Sequence, residues 1–75
     1  MVYRELLSRY IGSRCTIQLE KNQITLWGPE YPLVKYLHCI LEVTDDYVIV
    51  RSIQDKDYFI FPLVNTTFVF HGMEP

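Results

Sequence analysis

The chain has 75 residues, of which 49% are hydrophobic and 15% aromatic, and its net charge is −2 at pH 7. This length predicts a single domain spanning residues 1–75. A domain of this size buries only about 60% of the surface that its unfolded chain exposes. Because the composition is so apolar, a monomer of this size would leave some apolar surface exposed. This predicts self-association or a bound partner. This net charge excludes a basic surface that extends over the whole domain, as is typical of nucleic-acid-binding proteins.

The N-terminal residues carry charges and lack the continuous apolar run of a secretory signal. No stretch of the sequence reaches the about 18 apolar residues of a membrane span. Two cysteines without a secretory signal indicate a reducing compartment. We therefore expect a cytoplasmic protein with no membrane contact.

Residues 2–10 predict a short helix, because apolar residues such as Leu6, Leu7 and Tyr10 fall at helical spacing. Gly12 follows as a stop signal, since glycine is common just past a helix end. A helix of about nine residues is marginal in isolation. We therefore expect it to dock on the rest of the domain.

Strand patterns separated by turn residues fill most of the remaining chain: 14–20, 24–27, 33–43, 47–53, 58–61 and 66–70. The segment 24–27 is a short strand or a strand edge, and the proline-containing loop 28–32 interrupts the sheet. No second helix is predicted, so an α/β fold is excluded. The pattern predicts an all-β fold: a small, strongly bent, antiparallel five-stranded barrel of SH3-like or Sm-like type behind the N-terminal helix.

The later strands are apolar on both faces. In residues 47–50 and 58–61 every side chain is apolar or aromatic. A strand with one solvent-exposed face would instead alternate apolar and polar residues. We therefore expect both faces of these strands to be covered. The barrel interior covers one face, and the helix or a neighbouring subunit covers the other.

Three segments resemble the Sm-like family of small barrels. Residues 6–19 (LLSRYIGSRCTIQL) are similar to its opening helix and first strand, 41–50 (LEVTDDYVIV) to its second and third strands around an acidic turn, and 60–69 (IFPLVNTTFV) to its fourth and fifth strands. Members of that family form rings by pairing the fourth strand of one subunit with the fifth of the next, and many bind RNA. The resemblance thus implies a homo-oligomer.

The resemblance also assigns candidate site residues. RNA-binding positions of the family fall on Asp46, Tyr47 and Asn65 of this chain, and the oligomer interface falls on the two later strand edges: Tyr58, Ile60, Phe68 and Phe70. The sequence departs from the family in four places. The Asp and Asn of the family's first signature are only half present, as Asp45 or Asp46 followed by Tyr47. The glycine of the second strand is missing, Val64 and Asn65 stand where the family has Arg-Gly, and residues 22–35 look like an insertion.

No catalytic, metal or cofactor site is predicted. The sequence contains four side chains of the types that bind zinc, enough for one site: Cys15, His38, Cys39 and His71. Their spacing lacks a C-x₂-C pair, and His38 and Cys39, adjacent in a strand, point to opposite faces. The cysteines are better interpreted as buried thiols. A Cys–His nucleophile would also need an orienting group and an oxyanion site, and neither is indicated.

Three functions remain. The leading hypothesis is a non-enzymatic Sm-like homo-oligomer that acts as an assembly or binding module. The first alternative is RNA binding by exposed aromatics and the basic N-terminal end, whose cations are Arg4, Arg9, Arg14 and Lys21. The second alternative is an SH3-like domain that binds another protein.

Overall fold

The computed structural model describes residues 3–28 and 37–72. A helix, α1 (Tyr3–Leu7), continues into a 3₁₀ turn (Ser8–Tyr10). Six strands follow in chain order: β1 (Arg14–Gln18), β2 (Gln23–Trp27), β3 (His38–Val43), β4 (Tyr47–Ser52), β5 (Tyr58–Pro62) and β6 (Thr67–His71). Two further 3₁₀ turns, Leu19–Lys21 and Leu63–Asn65, connect β1 to β2 and β5 to β6. None of the described helices is long and apolar enough to cross a membrane.

The strands form one sheet in the order β5-β4-β3-β1-β2-β6. A small, mostly β domain behind one short helix is therefore confirmed. The number of strands is six rather than five, because β2 is a full strand with partners on both sides. No strand pairing joins β5 to β6 among the described residues, so both strands are edges of this sheet.

The expectation of a purely antiparallel sheet is wrong at one position, because β2 and β6 pair in parallel, with Gln23 opposite Thr67 and Trp27 opposite His71. The sequence argument required a helix to connect parallel strands. Here β3, β4 and β5 make that connection themselves, since they lie between β2 and β6 in the chain. A parallel pair needs a long crossover, and strands of the same sheet supply it here.

The strand predicted over 33–43 begins at His38 in the structure, and its expected bend is present as a β-bulge between Ile40 and Glu42. A bulge adds one unpaired residue and bends its strand. Residues 33–36, and the loop residues 29–32, lie outside the described residues.

The N-terminal helix is shorter than the predicted 2–10, since its last turn is 3₁₀ and Val2 lies outside the described residues. It docks as expected, through the fully buried Leu7 and the partly buried Tyr10. Gly12 follows with a φ of 90°, a conformation that glycine adopts without strain. Its amide donates a hydrogen bond of 2.8 Å to the Ile40 carbonyl, which fixes the helix end to β3.

The core is formed by apolar side chains from α1 and from all strands except β6: Leu7, Cys15, Ile17, Ile24, Leu26, Ile40, Val43, Val48, Val50 and Phe61. In β4 the buried residues alternate with half-buried ones, which is the period of two expected for a strand. The inner face of the sheet is thus mostly apolar, with the buried Ser52 as its polar residue on β4, while the outer face of β4 and β5 is left partly open to solvent.

Candidate interaction surface

The most exposed apolar strand residues lie on β5. Tyr58 and Ile60 are 63% and 66% exposed, while Phe59 and Phe61 alternate with them toward the core. Ile60 stands opposite the half-buried Ile49 of β4, so apolar side chains continue from one strand to the next. We call Tyr58, Ile60 and Ile49 the β5 surface. The expected cover on the outer face of β5 is therefore not supplied by the described part of this chain.

Phe68 and Phe70, the other two predicted interface residues, lie on β6 at the opposite edge of the sheet. Both are half-buried and pack against the core, and the Phe70 ring lies 5.2 Å from that of Tyr10. The structure thus places the four predicted interface residues on two separate edges. Phe68 and Phe70 contribute to the stability of the domain as well as to its edge.

Asp46, Tyr47 and Asn65 come together at one end of the sheet. The Leu63 amide, in the turn that contains Asn65, donates a hydrogen bond of 3.0 Å to the Asp46 carbonyl. Tyr47 stands opposite Pro62, directly before that turn. Asp46 and Asn65 are exposed and Tyr47 is half-buried. The sequence motifs around residues 46 and 65 are therefore neighbours in space.

The cations of the N-terminal part do not form one basic cluster. Arg4 pairs with Asp45 at 3.5 Å beside the β3–β4 turn, and both side chains are more than half exposed. Arg14 opens β1, whereas Lys21 follows the far end of that strand. The Arg4–Asp45 pair contributes little to stability, because exposed ion pairs are worth about 0–1 kcal/mol.

The two cysteines lie in different environments and both are free thiols. Cys15 is fully buried, and burial, with a smaller effect from Cys39, raises the pKa of its thiol to about 12. A thiol protonated at neutral pH is a poor nucleophile. Cys39 is half-buried on the other face of the sheet, opposite Arg14, while Cys15 stands opposite His38. The opposite orientation of His38 and Cys39 is therefore confirmed.

His38 faces the interior next to Phe59, with 5.6 Å between the two rings in an edge-to-face arrangement. Desolvation lowers the pKa of its imidazole below the usual 6.5. Within residues 3–28 and 37–72, no three His, Cys, Asp or Glu side chains lie close enough together to hold a metal ion.

Sequence reasoning missed one functional candidate, Arg51. It occupies an outer-face position of β4 and stands opposite Cys39 of β3. The alternation of Val48, Val50 and Ser52 as buried residues would have placed Arg51 on the outer face. Its position in line with Arg14 depends on the pairing register of three strands, which the sequence does not reveal.

These features define a small, mostly β domain with an apolar edge surface and an arginine-lined outer face. A comparison with protein families, curated proteins and solved structures finds no match to this chain. The functional argument therefore depends on the residues themselves.

Proposed function

We propose that this protein is a non-enzymatic, homo-oligomeric module of the Sm-like or SH3-like barrel type, which works by assembling through its strand edges. The observation that carries the proposal is the β5 surface at an unpaired edge. Tyr58 and Ile60 are the exposed apolar residues of that strand, and apolar surface of this kind marks interaction sites.

The composition of both edges supports self-association. Neither β5 (YFIFP) nor β6 (TFVFH) contains a lysine, arginine or acidic residue. Free edge strands are usually protected by charges, bulges or covering loops, because their unpaired backbone groups bind other strands. Within the described residues, neither edge has a charge or a covering strand, and the proline of β5 lies only at its last position. This composition favours pairing of the β5 edge of one copy with the β6 edge of the next. Such pairing would cover backbone groups and apolar side chains together.

Sedimentation and light scattering of Ile60→Lys test this proposal. A lysine at this exposed position places a charge at the edge without entering the core, so we expect the assembly to dissociate to the 9.0 kDa monomer. Leu19→Lys is the matched control, because Leu19 is 70% exposed but lies outside the strands. It should leave the assembly mass unchanged.

A wild-type protein that is monomeric at tens of micromolar, roughly the range of weak specific complexes, would contradict self-association. Such a monomer that instead binds a proline-rich peptide would support the SH3-like alternative. Dissociation by both Ile60→Lys and Leu19→Lys would contradict the assignment of the contact to β5.

RNA binding is the second candidate, and the proximity of Asp46, Tyr47 and Asn65 favours it. An aromatic ring at such a site stacks on an unpaired base. We expect Tyr47→Ala to weaken binding of a labelled single-stranded RNA about tenfold at low salt, as stacking on one base is worth about 1–3 kcal/mol. Fluorescence anisotropy measures this, with Tyr47→Phe, which keeps the aromatic ring and should bind normally, as the control. Absence of binding by the wild type at low salt would exclude it.

A further inference from the structure

Two arginines flank a thiol on the outer face of the sheet. Arg14 of β1 stands opposite Cys39 of β3, and Cys39 in turn stands opposite Arg51 of β4. Residues that are paired across strands project from the same face. With neighbouring strands about 4.8 Å apart, the two arginine Cα atoms are roughly 10 Å apart. Both guanidinium groups can therefore reach one small anion bound between them.

A cleft of about 240 Å³ lies at this row and is lined by six residues: Gly12, Arg14, Cys39, Leu41, Arg51 and Ile53. We call it the arginine cleft. Leu41 and Ile53 are 38% and 45% exposed, so they offer apolar surface next to the two charges. A cleft that combines apolar walls with a few convergent polar groups is typical of small-molecule sites.

The charge of the arginine cleft is not neutralised by the described residues. Neither Arg14 nor Arg51 forms an ion pair with them, and none of the cleft residues is acidic. Glu42 is the nearest acidic residue of β3 in sequence, but it stands opposite Ile49 and does not line the cleft. The Nε atom of Arg51 is buried and has no hydrogen-bond partner among the described residues. Buried donors normally have a partner, so this one points to a missing acceptor.

We propose that the arginine cleft binds a small organic anion, a carboxylate or a phosphate monoester that carries a compact apolar group. The anionic oxygens accept charge-assisted hydrogen bonds from Arg14 and Arg51, and the apolar group packs on Leu41 and Ile53. The cleft of about 240 Å³ accommodates a group of this size. Arg51 stands opposite Tyr58 of the β5 surface, so the two surfaces adjoin on the outer face of the sheet. No residue of β5 lines the cleft, so binding of the anion does not require the proposed self-association.

The Cys39 thiol is a built-in reporter for this site, because it lines the cleft while Cys15 is buried. The rate of alkylation of Cys39 by iodoacetamide can be followed by peptide mass spectrometry at constant ionic strength. The probes are phenyl phosphate, benzoate and the neutral phenol. We expect saturable protection by at least one of the two anions, with half-protection at about 1 mM, and none by phenol. The two anions distinguish a phosphate site from a carboxylate site.

Arg14→Gln and Arg51→Gln should each weaken this protection about tenfold, because each removes one charge-assisted contact. Lys21→Gln is the matched control with the same change of charge at the far end of β1, and it should bind normally. Arg14 is exposed, so its variant tests the proposal even where Arg51→Gln fails to fold.

Protection by phenol equal to that by the anions, or equal loss in Lys21→Gln, would overturn the proposal. So would the absence of saturable protection by either anion up to about 20 mM, far above the expected affinity. Ile60→Lys should retain the protection, so failure of the cleft and failure of self-association are distinguishable.

Discussion

At the scale of single residues, burial separates side chains that look alike in the sequence. Cys15 and Cys39 both lie in predicted strands, and the sequence predicts a buried thiol at each position. The structure confirms this for Cys15, which is fully buried, whereas Cys39 is half-buried and lines an outer cleft. The reason is the register, because Cys39 is paired with Arg14 on the outer face.

His38 makes the stability of this domain depend on pH. Burial lowers the pKa of its imidazole below 6.5, so the unfolded chain binds a proton more readily than the folded one. We therefore expect the free energy of unfolding to fall as the pH decreases through 6.5 and to level off below the lowered pKa of the folded state. Urea unfolding at a series of pH values measures this.

His38→Gln should flatten that part of the pH profile, since glutamine does not titrate. His71→Gln is the comparison, because it removes the other histidine of the chain, which lies exposed at the end of β6. An unchanged slope in His38→Gln would show that another group is responsible.

At the scale of elements, the β2–β6 pair is held by a close backbone approach at its end. The Gly28 amide donates a hydrogen bond of 2.6 Å to the His71 carbonyl. A Cβ atom at Gly28 would collide with the Gly72 carbonyl, which is backbone and has little freedom to move. Only glycine therefore permits this contact.

Gly28→Ala should lower the free energy of unfolding by about 1–3 kcal/mol, through overpacking and loss of the hydrogen bond. Urea unfolding measures the change. Gly12→Ala is the comparison, because Gly12 has a φ of 90° but no atom near its Cβ position. For Gly12→Ala we expect only the cost of backbone strain, which lowers the free energy of unfolding by about 1 kcal/mol. A Gly28→Ala variant as stable as the wild type would contradict the close approach.

The single helix and most strands were predictable from local patterns. Leu6, Leu7 and Tyr10 fall on one side of a helix, and the alternation of 14–20 and the apolar run of 47–53 mark strands. The parallel partner of β2 was not predictable, because pairing between β2 and β6 joins segments far apart in the chain. Local propensity contains no information about such pairing.

At the scale of the whole molecule, the two faces of the sheet are buried to different extents. This difference decides which surface is available to partners. The inner face closes over one core, to which α1 contributes Leu7. The outer face retains Tyr58 and Ile60 as exposed residues. No other part of residues 3–28 and 37–72 covers them. This is why assembly is the function that we propose, and why its test is the mass of the protein in solution.

The candidate sites were predictable only in part. The Sm-like resemblance assigns Tyr58 and Ile60 to the interface, and the apolar run 58–61 agrees with this assignment; both residues are exposed on an edge strand. Phe68 and Phe70 were named with them but lie on the opposite edge and pack on the core. Side-chain hydrophobicity is visible in a sequence, whereas the strand at which a sheet ends is not.

The sequence by itself determined a small, mostly β domain, its short helix, the strand positions and an excess of apolar surface. These follow from composition and from periodicity, which act over a few neighbouring residues. Only the tertiary structure decided the six-strand order, the parallel β2–β6 pair, the two free edges and the row from Arg14 through Cys39 to Arg51. These depend on pairing between distant segments, where burial and backbone hydrogen bonding select one register among many.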